Sequence, residues 1–232
     1  MEYLIIIIVS IIALLILKYA WDIKIKDIKI LKDLGYDESL NKITNKLPEN
    51  KEICKKLLKK LNNENVKIEE SENKTSLYLV LSNSIIIANI KDTFTRVQTV
   101  AHECLHSIQN RKTLLFNFVF SNIYFIYFIT ICILAILKTN ILPITLTLFI
   151  LLIFTFIHYA IRSYLEMDAM TKAKSLAEEY LEEEGILSKQ EQNIVLDNYE
   201  IINNIGIKLT NYTLITKNIA KIIFYLSLII IF

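Results

Sequence analysis

Three long apolar runs alternate with polar segments along the chain, at residues 3–20, 114–137 and 141–161. Each run is long enough to cross the hydrocarbon core of a bilayer, roughly 30 Å thick, as a helix. Three residues separate the second run from the third, so these two predict an antiparallel helical hairpin. A shorter apolar run at 222–232 follows two lysines that would have to snorkel, and whether it spans stays open.

The polar region before the hairpin predicts a mixture of helix and strand. Apolar residues recur at helical spacing over 51–61, which indicates an amphipathic helix. Short strands are predicted at 66–70, 76–81 and 85–89, and Ser82-Asn83-Ser84 predicts a turn between the last two.

Further helices are predicted on both sides of the hairpin. One runs from about Thr93 to Asn110, with Asp92 as its N-cap. After the hairpin, a charged helix covers about 163–184 and ends at Gly185. A capping box at 188–191 then begins another helix.

Together these elements predict a mainly α-helical integral membrane protein with a small mixed α/β region. Its five segments are an N-terminal transmembrane anchor (1–21), a cytoplasmic α/β region (22–112), a transmembrane hairpin (113–162), cytoplasmic helices (163–215) and a C-terminal apolar membrane segment (216–232).

Composition supports this pattern. Apolar residues make up 53% of the 232 residues, too many for an average soluble domain, while 22% are charged, too many for membrane spans alone. Three Gly and two Pro are few, as expected for a mostly helical chain. The three cysteines are scattered and odd in number, which predicts free thiols rather than a disulfide framework.

The distribution of positive charge predicts the orientation. If the spans alternate, Lys138 in the hairpin loop is separated by the membrane from every other Lys and Arg of the chain. The positive-inside rule makes the crowded side cytoplasmic. We therefore expect a multi-pass protein of a bacterial plasma membrane, with its N-terminus outside and its polar regions in the cytoplasm.

A metal-binding motif lies in the helix before the hairpin. His102 and His106 with Glu103 form H-E-x-x-H, and on a helix positions i and i+4 project from one face. Two imidazoles there can bind one zinc ion, which lowers the pKa of a bound water to about 7. Glu103 lies where it can take the proton of that water.

A catalytic zinc site needs a third protein ligand. Cys104 points to the other side of the helix. Glu166, at the start of the charged helix, is the best candidate, although a solvated acid stays an open alternative. His158, in the third apolar run, is either a site residue or a packed one.

The hairpin sets a geometric condition on Glu166. From the loop, His106 is about 32 residues away and Glu166 about 24, or roughly 48 Å and 36 Å of straight helix. The mismatch of about 12 Å predicts a break between the motif helix and the first hairpin span, near residues 110–113.

These residues also resemble a known family. The segment 100–109 (VAHECLHSIQ) looks like the V-A-H-E-x-G-H-A-I-Q segment of the YugP-type neutral zinc metallopeptidases, and 166–169 (EMDA) looks like their E-F-D/N-A segment. Gly185-Ile186-Leu187 matches a later G-I-L stretch, and the order of elements agrees over nearly the whole chain. The resemblance implies a gluzincin-like peptidase, related to HtpX-like and CAAX membrane peptidases, with Glu166 as third ligand. Leu105 departs from the family's usual Gly.

Three residues are candidates for supporting roles. Asp168 lies two positions after Glu166 and points away from it, so it either supports a ligand or pairs elsewhere. The supporting acid of many gluzincins, four residues after the ligand, is here Met170. Arg162 either pairs with Glu166, stabilises an oxyanion or lies at the interface, and His158 is the third candidate.

The expected function is that of a zinc metalloendopeptidase with one Zn²⁺ per chain and a Glu103-activated water as nucleophile. Its expected partners are the lipid bilayer and a membrane-associated protein or peptide substrate, with no nucleic acid. An extended substrate could pair with a strand between Ser76 and Asn89. The alternatives are a non-catalytic membrane scaffold and a regulatory peptidase with a single substrate.

Overall fold

Residues 1–35, 37–72, 75–88, 93–139 and 141–232 are described by the structure, a computed structural model of the full chain. Within these ranges the chain forms eight helices and three strands, which are α1 (Glu2–Ala20), α2 (Ile25–Gly35), α3 (Glu38–Thr44), α4 (Asn50–Lys60), β1 (Lys67–Ser71), β2 (Leu77–Leu79), β3 (Ser84–Ala88), α5 (Arg96–Ile108), α6 (Arg111–Ile136), α7 (Ile144–Glu184) and α8 (Lys189–Ile231).

Four helices of the described chain, α1, α6, α7 and α8, are long and apolar enough to cross a membrane. The first three correspond to the three apolar runs of the sequence. The last contains the run 222–232, which is the end of one continuous helix that begins at Lys189. A span over α8 therefore includes residues before 222, and the apolar run alone does not set its length. These helices suggest association with a membrane.

The chain divides into two compact units. The span unit consists of Met1–Ile23, Phe116–Tyr164 and Lys208–Phe232, and the α/β unit consists of Lys24–Leu115 and Leu165–Ile207. Helices α7 and α8 each supply residues to both units. The span unit has its own apolar core, in which Tyr124, Leu151 and Leu226 are fully buried.

In the α/β unit, β3 is the central strand of a three-stranded sheet with the order β1-β3-β2. It pairs in parallel with β1 and antiparallel with β2, so that Ile85 lies opposite both Ile68 and Tyr78. Because β3 is enclosed, Ile85 and Ile87 are fully buried. Strand β2 is shorter than predicted, and residue 89 of the predicted third strand lies outside the described residues.

Helices α4, α5, α7 and α8 pack with the sheet around one core. The amphipathic pattern of α4 is confirmed, since Ile53, Leu57 and Leu58 are buried there. Helix α7 contributes Ala169 and Ala173, which are nearly or completely inaccessible to solvent. Small side chains at helical spacing give this helix a narrow buried stripe.

The start of α5 is fixed by a buried guanidinium. Arg96 is 3% exposed and donates hydrogen bonds to Asn50 Oδ1 (2.9 Å) and to the carbonyl oxygens of Thr44 (2.9 Å) and Leu47 (2.8 Å). These three acceptors satisfy a charge that would otherwise be buried without partners. The helix begins at Arg96, three residues later than predicted, and the predicted N-cap at position 92 lies outside the described residues.

The junction between α7 and α8 follows the predicted local rules. Gly185 has φ +60°, the left-handed conformation expected after a helix end. The backbone N–H of Ser188 donates to Glu191 Oε2 (3.0 Å), and the N–H of Glu191 donates to Ser188 Oγ (3.3 Å). This reciprocal pair is the predicted capping box.

Candidate metal centre

The two motif histidines project from one face of α5, as their spacing predicts. Their rings lie 4.6 Å apart between centroids, and the two Nε2 atoms are 3.1 Å apart. His106 is 9% exposed. At this distance the Nε2 atoms of both rings can contact the same atom or ion.

Helix α7 brings Glu166 to the same point. Its Oε2 atom lies 3.4 Å from His102 Nε2 and 3.8 Å from His106 Nε2. The three residues form a group of donors within 4.8 Å of one another that could hold a metal ion. The sequence prediction that these three side chains lie together is confirmed.

The chain breaks between the motif helix and the hairpin. Helix α5 ends at Ile108, and Gln109 has an extended backbone with ψ 160°. Asn110 then caps α6, because its Oδ1 accepts hydrogen bonds from the N–H groups of Lys112 (2.9 Å) and Thr113 (3.2 Å). The predicted break is confirmed and lies at the start of the predicted range.

Gln109 has a role that the sequence reasoning missed. Its Nε2 donates to the carbonyl oxygen of Leu165 (2.8 Å) and to Asp168 Oδ2 (3.0 Å). Its Oε1 lies 2.8 Å from His106 Nδ1. Since the amide nitrogen faces two acceptors, the amide oxygen faces the imidazole, and Nδ1 of His106 carries the proton. The Nε2 lone pair of His106 is then free for a metal.

Asp168 contacts this glutamine. Hydrogen bonds from Lys172 and Gln109 lower the pKa of its carboxyl group, so it stays ionised. Asp168, two positions after Glu166, points to a different side of α7. Its carboxylate instead accepts a hydrogen bond from Gln109, whose amide oxygen faces His106 Nδ1. Asp168 also pairs with Lys172, so both predicted alternatives, a contact to the site and an ion pair elsewhere, are present, and the supporting role stays a prediction.

Glu103 lies near the three grouped donors but is not one of them. It is 7% exposed, and its Oε2 accepts a hydrogen bond of 2.7 Å from the backbone N–H of Tyr78 on β2. Burial raises the pKa of its carboxyl group, against the opposing effects of the two histidines and the N–H donor. A carboxylate with a raised pKa is a better proton acceptor near neutral pH.

The protonation of His106 is also perturbed. Burial alone lowers its pKa, but hydrogen bonds to Glu166 and Gln109 outweigh burial, so the pKa of the imidazole is raised. A neighbouring carboxylate favours the charged ring when no cation lies between them.

The other candidate residues are not among the grouped donors. His158 and Arg162 belong to the span unit, and neither is among the grouped metal donors. Cys104 points away from the donors as expected, and its Sγ lies 3.6 Å from Cys54 Sγ, a buried contact that the sequence did not predict. Leu105 is buried in the core of the α/β unit.

Comparisons of the chain with protein-family models, with curated proteins and with solved structures found no match. The family resemblance seen in the sequence therefore stays a prediction, and the site is argued on its geometry.

Proposed function

We propose that this chain is a membrane-bound, zinc-dependent peptidase. The observation that carries the proposal is the grouping of His102, His106 and Glu166 beside Glu103. Two imidazoles and one carboxylate are the ligands of a catalytic zinc site in which a further position stays open. Tetrahedral bonds of 2.0–2.1 Å place ligand atoms about 3.3 Å apart, close to the separations between these three side chains.

When bound, zinc supplies Lewis acidity, which polarises a substrate carbonyl and makes a coordinated water acidic. The protein's own part begins with Gln109, which fixes the tautomer of His106. Glu103, nearly buried and with a raised pKa, accepts a proton at its carboxylate and later delivers it to the leaving amine. A scaffold that only held a metal would not need this carboxylate.

The open edge of β2 favours a peptide substrate. Among the described residues, β3 is paired on both sides, whereas β2 is an edge strand that pairs with β3 alone. The N–H of Tyr78 on β2 already donates to Glu103. An extended peptide that pairs with this edge would pass the proposed base. Of the strands between Ser76 and Asn89, we therefore propose β2 as the one that pairs with the substrate.

Four long apolar helices support a membrane location. The crowding of Lys and Arg on one side of the predicted spans supports a cytoplasmic orientation of the polar regions in a bacterial plasma membrane. Membrane proteins or membrane-proximal peptides are then the proposed substrates.

Metal content and hydrolysis test the proposal on four forms of the detergent-purified full chain. These are the wild type, Glu166→Ala, Glu103→Gln and a control, Glu178→Ala, which changes another acid of α7. We expect about one zinc per chain by mass spectrometry in all forms except Glu166→Ala. Cleavage of an unfolded fluorescent protein substrate should fall about 10²- to 10⁴-fold in Glu103→Gln, which keeps its zinc.

The outcomes separate the alternatives. If the wild type binds no metal, the peptidase proposal is wrong. If Glu166→Ala keeps its zinc, the third ligand is misassigned. If the wild type binds zinc but cleaves neither the unfolded protein nor membrane-anchored peptides, the non-catalytic scaffold is favoured.

A further inference from the structure

A group of polar side chains lies inside the span unit, around the buried ring of Tyr124. The Tyr124 hydroxyl lies 2.9 Å from Thr155 Oγ1, and the ring of His158 lies 5.3 Å from the Tyr124 ring. From α8, the Lys221 ammonium lies 3.8 Å from the Tyr124 ring centroid. Helices α6, α7 and α8 therefore meet at one polar group, which we call the Tyr124 cluster.

The cluster contains polar atoms without partners. Asn218, one turn before Lys221, is 1% exposed, and its Nδ2 has no hydrogen-bond partner among the described residues. The side chains of His158 and Asn218 contact each other, and the Nδ1 atom of His158 is likewise without a hydrogen-bond partner in the described chain. A fully buried amide that lacks an acceptor is unfavourable, so an absent acceptor is indicated.

The cluster is also positively charged without compensation. The span-unit segments 116–164 and 208–232 contain no Asp or Glu, and the third segment, 1–23, contains only Glu2 and Asp22, near its two ends. In the described part of the chain, Lys221 contacts the faces of Tyr124 and Phe128 and forms no salt bridge. Aromatic faces attract a cation but carry no net charge. An ionisable residue at this position in a span indicates a functional site with a partner.

The depth of the cluster places it in one leaflet. Tyr124 lies twelve residues before the end of α6, His158 fourteen after the start of α7, and Lys221 ten before the end of α8. These offsets correspond to about 18, 21 and 15 Å of helix. Residues of all three helices and of the hairpin loop line one cavity near these helix ends. The three distances are therefore all measured from the loop side of the span unit. The cluster therefore lies in the half of the spans away from the loop, where His158 is about 6 Å of helix before Arg162 on α7 and Lys221 is about 6 Å after Lys217 on α8.

We propose that Lys221, His158 and Asn218 bind the phosphate of an anionic lipid headgroup from that leaflet. A phosphate anion supplies the negative charge and the acceptor oxygens that the cluster lacks. Basic pockets between membrane helices on the cytoplasmic side are known to bind such headgroups. This site is separate from the metal donors and does not depend on the proposed peptidase activity.

Thermal unfolding of the detergent-purified full chain tests the proposal, with phosphatidylglycerol, phosphatidylcholine or inorganic phosphate added. We expect phosphatidylglycerol to raise the unfolding midpoint of the wild type by roughly 3 to 6 °C at ten times its dissociation constant. Phosphatidylcholine and inorganic phosphate should each give a much smaller rise.

Two lysines on α8 provide a matched comparison. Lys221→Met should lose most of the rise, whereas Lys217→Met, which changes an exposed lysine one turn earlier, should keep it. Lys221→Gln gives the same comparison if Lys221→Met does not fold. Native mass spectrometry should show phosphatidylglycerol retained by the wild type and Lys217→Met, and lost from the Lys221 variants.

Three results would overturn the proposal. An equal rise with phosphatidylcholine would mean that the headgroup charge is irrelevant. A full rise with inorganic phosphate alone would make the ligand a free anion rather than a lipid. An equal loss in Lys217→Met would mean general attraction between lysines and lipid rather than a site.

Discussion

Replacement of Gln109 by alanine is the sharpest test of how the proposed metal centre is held. The substitution removes the acceptor for His106 Nδ1 and the donor to Leu165 and Asp168. The imidazole then loses the group that fixes its tautomer and ring orientation. The metal donors themselves are unchanged.

The expected magnitude follows from these three hydrogen bonds. Loss of a partner that orients a histidine ligand weakens metal binding about 10- to 100-fold. Each lost hydrogen bond contributes about 1 kcal/mol, so unfolding free energy should fall by about 1–3 kcal/mol. Affinity should therefore drop while the protein still folds.

A matched variant separates the metal effect from the loss of stability. Asn63 donates to the carbonyl oxygen (3.1 Å) and the hydroxyl (2.9 Å) of Ser107, near the same end of α5. Asn63→Ala removes two hydrogen bonds from this helix but touches no metal donor. It should lower stability and leave zinc affinity within about 2-fold of wild type.

Zinc affinity is measured by competition with a chromophoric chelator, and the geometry by the visible absorption of the cobalt-substituted protein. We expect Gln109→Ala to bind zinc more weakly and to change the cobalt spectrum, and Asn63→Ala to do neither. Wild-type affinity and spectrum in Gln109→Ala would refute the role assigned to Gln109. If zinc affinity fell equally in both variants, Gln109 would only stabilise the end of α5 and would not specifically orient His106.

Three further predictions concern local chemistry. Gly185→Ala should lower the unfolding free energy by about 1 kcal/mol in urea titration, because φ is +60° there, whereas the helical Gly35→Ala should not lower it. In the metal-free protein, the raised pKa of His106 means that the folded state holds its proton more tightly than the unfolded state. The contribution of His106 to stability should be present below about pH 6.5 and be lost as the pH rises through its raised folded-state pKa. Calorimetry should show that added zinc offsets this loss. Cys54 and Cys104 should react with a thiol reagent only at the rate of unfolding, since both are fully buried, and rapid labelling of the native protein would contradict their placement.

Features governed by neighbouring residues could be predicted from the sequence. The spacing of His102 and His106 places both rings on one helix face, because an α-helix repeats every 3.6 residues. Gly185 ends α7 and the capping box begins α8, since both depend on contacts within one turn. The break before α6 followed from counting helical rise along two arms of one hairpin.

Features made by distant residues could not be predicted in the same way. The parallel pairing of β1 with β3 joins segments whose individual patterns fit several pairings. The contact between Cys54 and Cys104 depends on how α4 packs against α5. The link from Asp168 to His106 is made by the side chain of Gln109. In the sequence, this residue is marked only by its position at the end of the motif helix, and nothing there indicates its partners.

The sequence by itself determined the apolar helices, the metal-binding motif and the helix ends, because periodicity, length and local hydrogen bonding are written in adjacent residues. Only the tertiary structure decided that Glu166 lies 3.4 Å from His102, that Gln109 holds the second imidazole, and that Lys221 lies over the Tyr124 ring. Such contacts form between residues far apart in the chain. A local sequence pattern is compatible with several contact partners, and only the packing of the complete core determines which contact forms.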